Sequence, residues 1–575
     1  MILANPPYFG MSANKGEWIT DLVGDYKSVD GKPLGEKNPK WLLDDYVKFI
    51  RFAEWKINQT GEGVVGYITN HSYLDNPTFR GMRQHLLKSF DEIYVLDLHG
   101  NALKGQKCPD GSKDENVFDI KQGVAISFFV KKGMKQKGDC KVFHSEIWGL
   151  RDKKYNWLLT NDINSTEFEE LQPHTPFYFF IPQEERYAEL YNKYWKITDV
   201  FSINSVGIVT ARDKLTIQYT PDEIWKIVKD FSSLGEKRAR EKYELGDDAR
   251  DWQISLAQED LKATGLNKEL IVPILYRPFD VRYTYYTGHS RGFICMPRPE
   301  VMYHMLNENV ALLVHKRKEL PVPYSHFLVT DTLSEHCCVS IKTTNYHFPL
   351  YVYENNQKKE NVNSNLANTL NKIYGNKPKA ESILHYVYAI FYSNIYRSKY
   401  EEFLKSDFPR VPLTIDYNLF IEMGKLGRKL VDLHLMKSKE LKNPIAKFQG
   451  DGDNTVKKIA YHEEEARVYI NKIQYFEGIR SDVWEYLIGG YQVLSKWLKY
   501  RKGRKLSLED IRHFCEVATV LHNTIELQDE IDGLYPDVEK DVIEFEEDSV
   551  TMDKYTKYRA QDLSGSRLNS GNCLR

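Results

Sequence analysis

The feature that most constrains this chain stands at its start. The apolar run Ile2-Leu3-Ala4 leads directly into Asn5-Pro6-Pro7-Tyr8, and Phe9-Gly10 follow. Consecutive prolines fix φ twice and remove two backbone donors, so a strand entering them must stop. The expected product is a rigid turn at the end of a buried strand, carrying an amide side chain, outward carbonyls and an aromatic ring. Open α/β sheets place ligands at the carboxyl ends of their strands. An Asn amide oxygen and a proline carbonyl aimed at one point can both accept hydrogen bonds from a single exocyclic amine. The tyrosine can stack on the ring that bears it. An Asn-Pro turn alone is common in loops of every fold, so other segments must decide.

The length of 575 residues suggests roughly two to four domains with sizeable cores. A net charge of -2 provides no overall basic field, so any contact with nucleic acid must come from local basic patches. The seven cysteines include no CxxC pair, and their odd number argues against a disulfide framework. A reducing cytoplasm is the simplest setting. No signal peptide and no apolar run of membrane-spanning length is present, so no membrane partner is expected. The 38 tyrosines suit base stacking and core packing equally well.

Residues 1–135 alternate strand and helix patterns. A helix is expected over about 42–58, with Tyr46, Phe49, Ile50, Ala53 and Ile57 on one face. Val64 to Thr69 reads as a buried strand, 79–90 as a short amphipathic helix, Ile93 to Leu98 as a strand, and Val124 to Val130 as the last one. This order fits a doubly wound sheet whose final two strands form a hairpin. Gly61, Gly63 and Gly66 formally satisfy GxGxxG, but they follow a helix and run into a strand, the reverse of a phosphate-binding turn.

From 140 to 350 short aromatic and β-branched runs alternate with turns. The segment 276–302 brings together Arg277, Arg282, Arg291 and Arg298 against Asp280 and Glu300, interleaved with six aromatic residues. Arginine suits phosphate oxygens and guanine edges, so all four are candidates for contact with DNA. The competing reading is a structural Arg-Asp pair. Residues 351–545 are richer in helix, with patterns over 384–404, 417–436 and 482–502. The last of these ends in Lys496, Lys499, Arg501, Lys502, Arg504 and Lys505. Cations at a helix C-terminus also complement its dipole, so Lys499 and Arg501 are phosphate contacts or helix stabilisers. Ser507, with Asp510 three residues on, is placed to cap a final helix. Asp537 to Asp548 reads as a solvated acidic run, and 546–575 as a flexible tail. His462-Glu463-Glu464-Glu465 lacks a second zinc-ligand histidine, His336-Cys337-Cys338 lacks a partner pair, and neither a Walker loop nor a Gly-x-Ser-x-Gly elbow occurs.

The opening tetrapeptide resembles the Asn-Pro-Pro-Tyr motif of amino-directed DNA methyltransferases, most often the N6-adenine enzymes. That resemblance implies that Asn5 and the Pro6 carbonyl hold the target amine, that Pro7 stiffens the loop, and that Tyr8 stacks on a flipped base. It implies S-adenosylmethionine as the methyl donor. Asn116 to Ala125 resembles the loop and strand beside the base pocket, where Phe118 would give a second stacking face or remain a core residue. The pattern Tyr276-Arg277-Pro278-Phe279-Asp280-Val281-Arg282, continuing to Pro297-Arg298-Pro299-Glu300-Val301-Met302, resembles the target-recognition region of single-polypeptide (type ISP) restriction-modification enzymes. Val206 to Asp213 resembles a segment ahead of that block. The implied fold is α/β. It comprises the carboxyl-terminal half of a Rossmann-like methyltransferase sheet (1–135), a mixed α+β target-recognition domain (140–350), and a helix-rich part (351–545).

In the family the donor-binding strands precede the catalytic loop, and only four residues precede Asn5. The expectation is therefore a carboxyl-terminal piece with an incomplete donor site and with Ile2 and Leu3 on an open sheet edge. Such a piece would act on double-stranded DNA in the bacterial cytoplasm. Its expected partner is an upstream methyltransferase, helicase or nuclease polypeptide. The alternatives are a non-catalytic specificity subunit and an inactive remnant.

Overall fold

The computed structural model describes all residues except 8–11, 13, 35–39, 103–107, 111, 134–138, 176, 183–184, 318–322, 356 and 546–575. The chain divides into two compact units, Met1–Glu185 and Arg186–Arg575. The first boundary therefore lies well beyond the 135–140 suggested by composition. No boundary falls at 350 either, because one hydrophobic core runs from Tyr191 to Ile543.

The first unit is built on a six-stranded sheet. Its strands are β1 (Ile2–Ala4), β2 (Gly63–Asn70), β3 (Glu92–Asp97), β4 (Val124–Lys131), β5 (Lys141–Glu146) and β6 (Glu169–Leu171), in spatial order β1-β2-β4-β3-β5-β6. β1 runs parallel to β2, with Leu3 opposite Gly66. Gly66 is needed for this close approach, since a Cβ there would lie 2.7 Å from the Leu3 side chain and 3.1 Å from the Phe128 ring. β4 pairs antiparallel with both β2 and β3, as the expected hairpin requires. β5 then joins β3 in parallel and brings the segment after residue 140 into this sheet rather than into the next domain. β1 is an edge strand on which Leu3 is 62% exposed.

Four helices flank these strands in sequence: α1 (Glu17–Gly24), α2 (Asp45–Thr60), α3 (Arg80–Ser89) and α4 (Arg151–Thr160). α2 buries Tyr46, Val47, Ile50, Ala53 and Ile57 and stops where Gly61 turns left-handed (φ 85°). Phe49, assigned to the buried face by spacing, is instead exposed, and Val47 takes the core position. The core of this unit gathers Tyr46, Ile50, Val65, Tyr67, Met82, Leu86, Ile93, Val95 and Phe129.

Besides a four-stranded sheet of Lys447–Gln449, Tyr475–Glu477, Arg467–Tyr469 and Ala460–His462, the second unit contains two further four-stranded sheets. One orders β7 (Ser205–Val206), β14 (Asn345–Pro349), β11 (Ala311–His315) and β12 (Leu328–Thr330). The other orders β8 (Ile217–Gln218), β10 (Asp280–Tyr285), β9 (Ile271–Arg277) and β13 (Leu333–Ser334). Helices α5 (Pro221–Ser233) and α6 (Ile254–Thr264) accompany the second sheet. α7 (Ala380–Tyr392), α8 (Tyr417–His434), α9 (Val493–Tyr500) and α10 (Leu508–Val538) form the helical part. α7 is apolar on nearly all sides and buries ten of its residues, and the helix expected over 384–404 is broken after Tyr392 into further short helices, Asn394–Lys399 and Glu401–Ser406. α8 approaches it so closely at Gly427 that a Cβ there would collide with the His385 carbonyl.

Ser507 caps α10 reciprocally with Asp510, as the spacing predicted. The helix expected over 482–502 is broken. Ser481–Glu485 is one turn of helix, Leu487–Ile488 and Tyr491–Gln492 form a hairpin around Gly489-Gly490, and only Val493–Tyr500 continues as α9. Gly489 (φ 59°) lets the hairpin tip press against the Val339 carbonyl, a tertiary contact that helical periodicity does not reveal. The acidic run after 537 is likewise docked rather than solvated as far as it is described. Ile543 is buried, and its carbonyl accepts a hydrogen bond from the Trp195 indole at 3.1 Å. The proposed tail, 546–575, lies outside the described residues.

Candidate functional site

In the first unit Asn5-Pro6-Pro7 directly follows the carboxyl end of β1, which is an exposed edge strand rather than the buried strand expected ahead of the prolines. Asn5 and Pro7 are exposed and Pro6 is buried. The buried proline anchors the turn, while the amide of Asn5 stands at the surface. Tyr8 lies outside the described residues. Phe118 is half-buried and packs against the small cluster of Leu96, Leu98, Val117, Val124 and Ile147. Its loop is held at both ends. Its N–H donates to Asn116 Oδ1 at 2.8 Å, and its carbonyl accepts from Arg151 at 2.9 Å.

The carboxyl ends of β2, β3 and β5 also carry a polar cluster that sequence reading missed. His71 Nδ1 lies 3.0 Å from Asp97 Oδ1, and His99 Nε2 lies 3.0 Å from Glu146 Oε2. Burial alone would raise the Asp97 carboxyl, but His71 and His99 hold it well below the usual carboxylate range. Nearby, Lys154 is fully buried and donates to Asp114 at 2.6 Å and to the carbonyls of Leu98 and Glu115. The signal available in sequence was weak. These residues are far apart and share only their place just after strand ends.

In the second unit the arginines of 276–302 separate into two kinds. Arg277 is buried and pairs with Glu335 at 2.7 Å, and its guanidinium lies 3.9 Å from the Tyr276 ring. Arg282 and Arg501 share Asp280, at 2.7 and 3.0 Å, and Arg501 also lies 3.6 Å from the Trp497 ring. Burial would raise the Asp280 carboxyl, but the two guanidinium groups hold it below its ordinary range. These three arginines bind α9 to the β9–β10 hairpin, so the expected DNA contact gives way to the structural Arg-Asp reading. The physical reason is desolvation: a buried guanidinium must be paired, and these pairs are internal.

Arg291 is exposed and Arg298 is half-buried, both at left-handed backbone positions (φ 62° and 56°). Arg291 donates to the Arg250 carbonyl at 3.1 Å. Lys499 is exposed and lines a shallow cleft of about 220 Å³ with Ile341, Gly490, Tyr491, Gln492, Ser495 and Lys496. Lys496 Nζ stands 5.1 Å from the Tyr500 ring centre. The cleft combines two cations, an amide, a hydroxyl and an exposed isoleucine, the side-chain types that meet phosphates and base edges. Its residues come from 341 and 490–499, so no local motif announces it. Among the described residues, no helix is long and apolar enough to cross a membrane.

Comparison with known proteins finds similar chains in sequence and in fold. Over 245 residues, 39% of each chain, the protein is 25% identical to the Type II methyltransferase M.BanIII of Aneurinibacillus aneurinilyticus. Among solved structures it resembles the DrdV–DNA complex with a TM-score of 0.68 and 23% identity, over 92% of this chain and 56% of that one. It also resembles the DNA-bound ATP-dependent Type ISP restriction-modification enzyme LlaBIII with a TM-score of 0.69 and 23% identity, over 92% of this chain and 37% of that one. A nuclease-deletion mutant of the Type ISP enzyme LlaGI, in complex with a DNA substrate mimic, gives a TM-score of 0.66 at 21% identity, over 92% of this chain and 52% of that one. The chain thus spans between 37% and 56% of these solved chains, and the alignment with the curated relative covers 39% of it. Residues 199–530 match the family described as the Type ISP C-terminal specificity domain. That match covers more than half of the sequence, and the chain belongs to this family.

Proposed function

We propose that this chain supplies the sequence-reading and adenine-positioning parts of a restriction-modification enzyme acting on double-stranded DNA in the bacterial cytoplasm. The observation that carries the reading is the specificity-domain match over residues 199–530. The Asn-Pro-Pro turn at the end of a parallel strand in the other unit adds the catalytic element. In this reading the first sheet is the carboxyl-terminal half of a methyltransferase sheet, and the antiparallel β3–β4 pair is its closing hairpin. An adenine rotated out of the duplex is met by the turn. The Asn5 side chain and the Pro6 carbonyl accept hydrogen bonds from its N6 amine, while Tyr8 stacks on the ring and Phe118 borders the pocket. Positioning and polarisation of the amine supply the rate enhancement, with no general base of raised pKa. In the second unit, Lys499 and Lys496 contact phosphates from the cleft, and Arg291 and Arg298 are further candidates.

The donor in such chemistry is S-adenosylmethionine, which supplies an electrophilic methyl group. The glycine turn that joins β5 to α4 is a poor fit for it. The Gly149 N–H donates to Asp114 at 2.9 Å and that of Arg151 donates to Glu115 at 3.1 Å, so the chain's own carboxylates occupy the helix N-terminus.

Two measurements on the full chain test the reading. DNA affinity by fluorescence anisotropy should fall steeply across a salt series, as phosphate contacts require. Labelled methyl transfer from S-adenosylmethionine to adenine should vanish with Asn5→Ala, while DNA affinity survives. Affinity that does not change with salt would overturn DNA recognition. A second reading, a non-catalytic specificity subunit, is favoured by the occupied Gly149 turn. It predicts salt-sensitive DNA binding with no methyl transfer under any pairing.

A further inference from the structure

Arg298 differs from the other arginines of the 276–302 block. Arg277 and Arg282 pair with internal carboxylates, and Arg291 donates to the Arg250 carbonyl. Among the described residues no hydrogen bond or ion pair engages the Arg298 guanidinium, and its Nε is buried without an acceptor. A buried donor without a partner is costly, more so on a charged group. The residue is half-buried, so its head stays within reach of a ligand.

The backbone beneath that head is fixed on both sides. Pro297 and Pro299 flank it, each with a ring-locked φ. Residues before proline avoid the right-handed helical region, and Arg298 takes the left-handed one (φ 56°, ψ 53°). Its carbonyl accepts from the N–H groups of Val301 at 3.2 Å and Met302 at 2.9 Å. The Pro297 carbonyl accepts from the Tyr286 hydroxyl at 3.2 Å. Non-glycine residues hold such conformations where the surrounding structure over-determines them, and they cluster at ligand sites. The main chain of Arg298 is committed to the fold and its side-chain head is not.

The surroundings are basic. Val206 pairs with Tyr346 of β14 and Val209 forms a bridge with Met296, so one short segment joins Tyr346 to the stretch that ends in Arg298. Burial raises the Tyr346 phenol, Arg317 and Arg298 oppose that rise, and Asp407 adds to it. Burial and Asp251 likewise raise the Cys295 thiol, against Arg298, Arg212 and Arg291. Both carboxylates already have partners, Asp407 in Lys196 at 2.6 Å and Asp251 in Arg250 at 2.9 Å. Glu300, two residues on, is exposed and makes no ion pair with Arg298.

We propose that Arg298 reads a guanine of the target duplex, its guanidinium donating to O6 and N7 at the major-groove edge. The inference rests on the DNA-recognition role proposed for this unit and names a residue that reads sequence within it. Two parallel hydrogen bonds to a base edge require a fixed fork, which the flanking prolines and the carbonyl bonds provide. A phosphate accepts a point charge such as the ammonium of Lys499 and gains nothing from that rigidity.

The experiment uses the full chain and a pool of randomised DNA duplexes, with the bound fraction sequenced for wild type, Arg298→Lys and Arg298→Ala. The wild type should select a motif with at least one fixed G·C pair. Both variants should lose about 5- to 150-fold of discrimination at one such pair and keep the preference elsewhere. 7-Deazaguanine at that pair lacks N7 and should weaken binding by the wild type while leaving Arg298→Ala unaffected. Full discrimination by Arg298→Lys, with a salt slope lowered by about 1 in Arg298→Ala, would overturn the proposal in favour of a phosphate contact. Unchanged specificity in both variants would overturn it as well and leave the DNA-recognition reading standing. A wild type that selects no sequence would overturn both. Should a variant fail to fold, a wild type indifferent to 7-deazaguanine at every guanine of its site overturns the proposal alone.

Discussion

The turn after β1 and the arginine cluster beside α9 put polar residues to opposite uses. Asn5 and Pro7 are exposed at a strand end, where a ligand can reach them. Arg277, Arg282 and Arg501 are enclosed among Tyr276, Trp497 and Tyr500, with Glu335 and Asp280 as internal counter-charges. Both groups attract a functional reading in sequence because they combine aromatics with groups that recognise DNA. The difference lies in burial. A buried charge must meet its counter-charge inside the fold and so stabilises it, whereas an exposed group at a strand end can be reached by a ligand.

The sharpest way to break the comparison is to remove one member of each group. Asp280→Ala leaves two buried guanidinium groups without their shared carboxylate and should cost the second unit about 3–5 kcal/mol, measured by denaturant unfolding. Asn5→Ala removes an exposed amide and should change stability by less than about 0.5 kcal/mol while abolishing methyl transfer. If Asp280→Ala left stability intact and lowered DNA affinity instead, the cluster would belong with the functional group.

A pH titration extends the contrast to whole units. Burial pushes His347 and His434 down to about 3 and His315 down to about 4. Each folded pKa lies below the unfolded value of about 6.5. Their contribution to stability is therefore complete above that pH and is lost as pH falls toward 3 to 4. In the first unit burial pushes Asp44 up to about 6. Its contribution is complete below the ordinary carboxylate range and is lost as pH rises through about 6. Between pH 7 and 5 the second unit should thus lose stability by calorimetry while Asp44 favours the first. Asp44→Asn should raise the stability of the first unit at pH 8 and remove that part of its pH dependence.

Gly427→Ala probes packing alone. The added methyl meets the His385 carbonyl and should cost about 1–3 kcal/mol, seen as a lower denaturation midpoint with DNA affinity per folded molecule unchanged. The smallest effect on the fold should come from Lys499→Ala. It leaves the unfolding transition in place, weakens binding about equally for all DNA sequences, and lowers the salt slope by about 1. A change in sequence preference with an unchanged salt slope would move Lys499 from phosphate contact to base reading.

The sequence by itself determined the parts set by local chemistry. Paired prolines had to end β1, alternation and apolar runs had to make β2, β3 and β4, and Ser507 with Asp510 had to cap α10. Tertiary structure decided the rest. It drew β5 into the first sheet, bent 486–492 into a hairpin under the Val339 carbonyl, and buried three arginines that looked like surface contacts. It also brought His71, Asp97 and His99 together from separate strand ends. Local rules act over a few residues, through backbone dihedrals and neighbouring side chains. Burial and counter-charge depend on residues distant in the chain, 221 positions apart for Arg501 and Asp280, and only the completed fold supplies them.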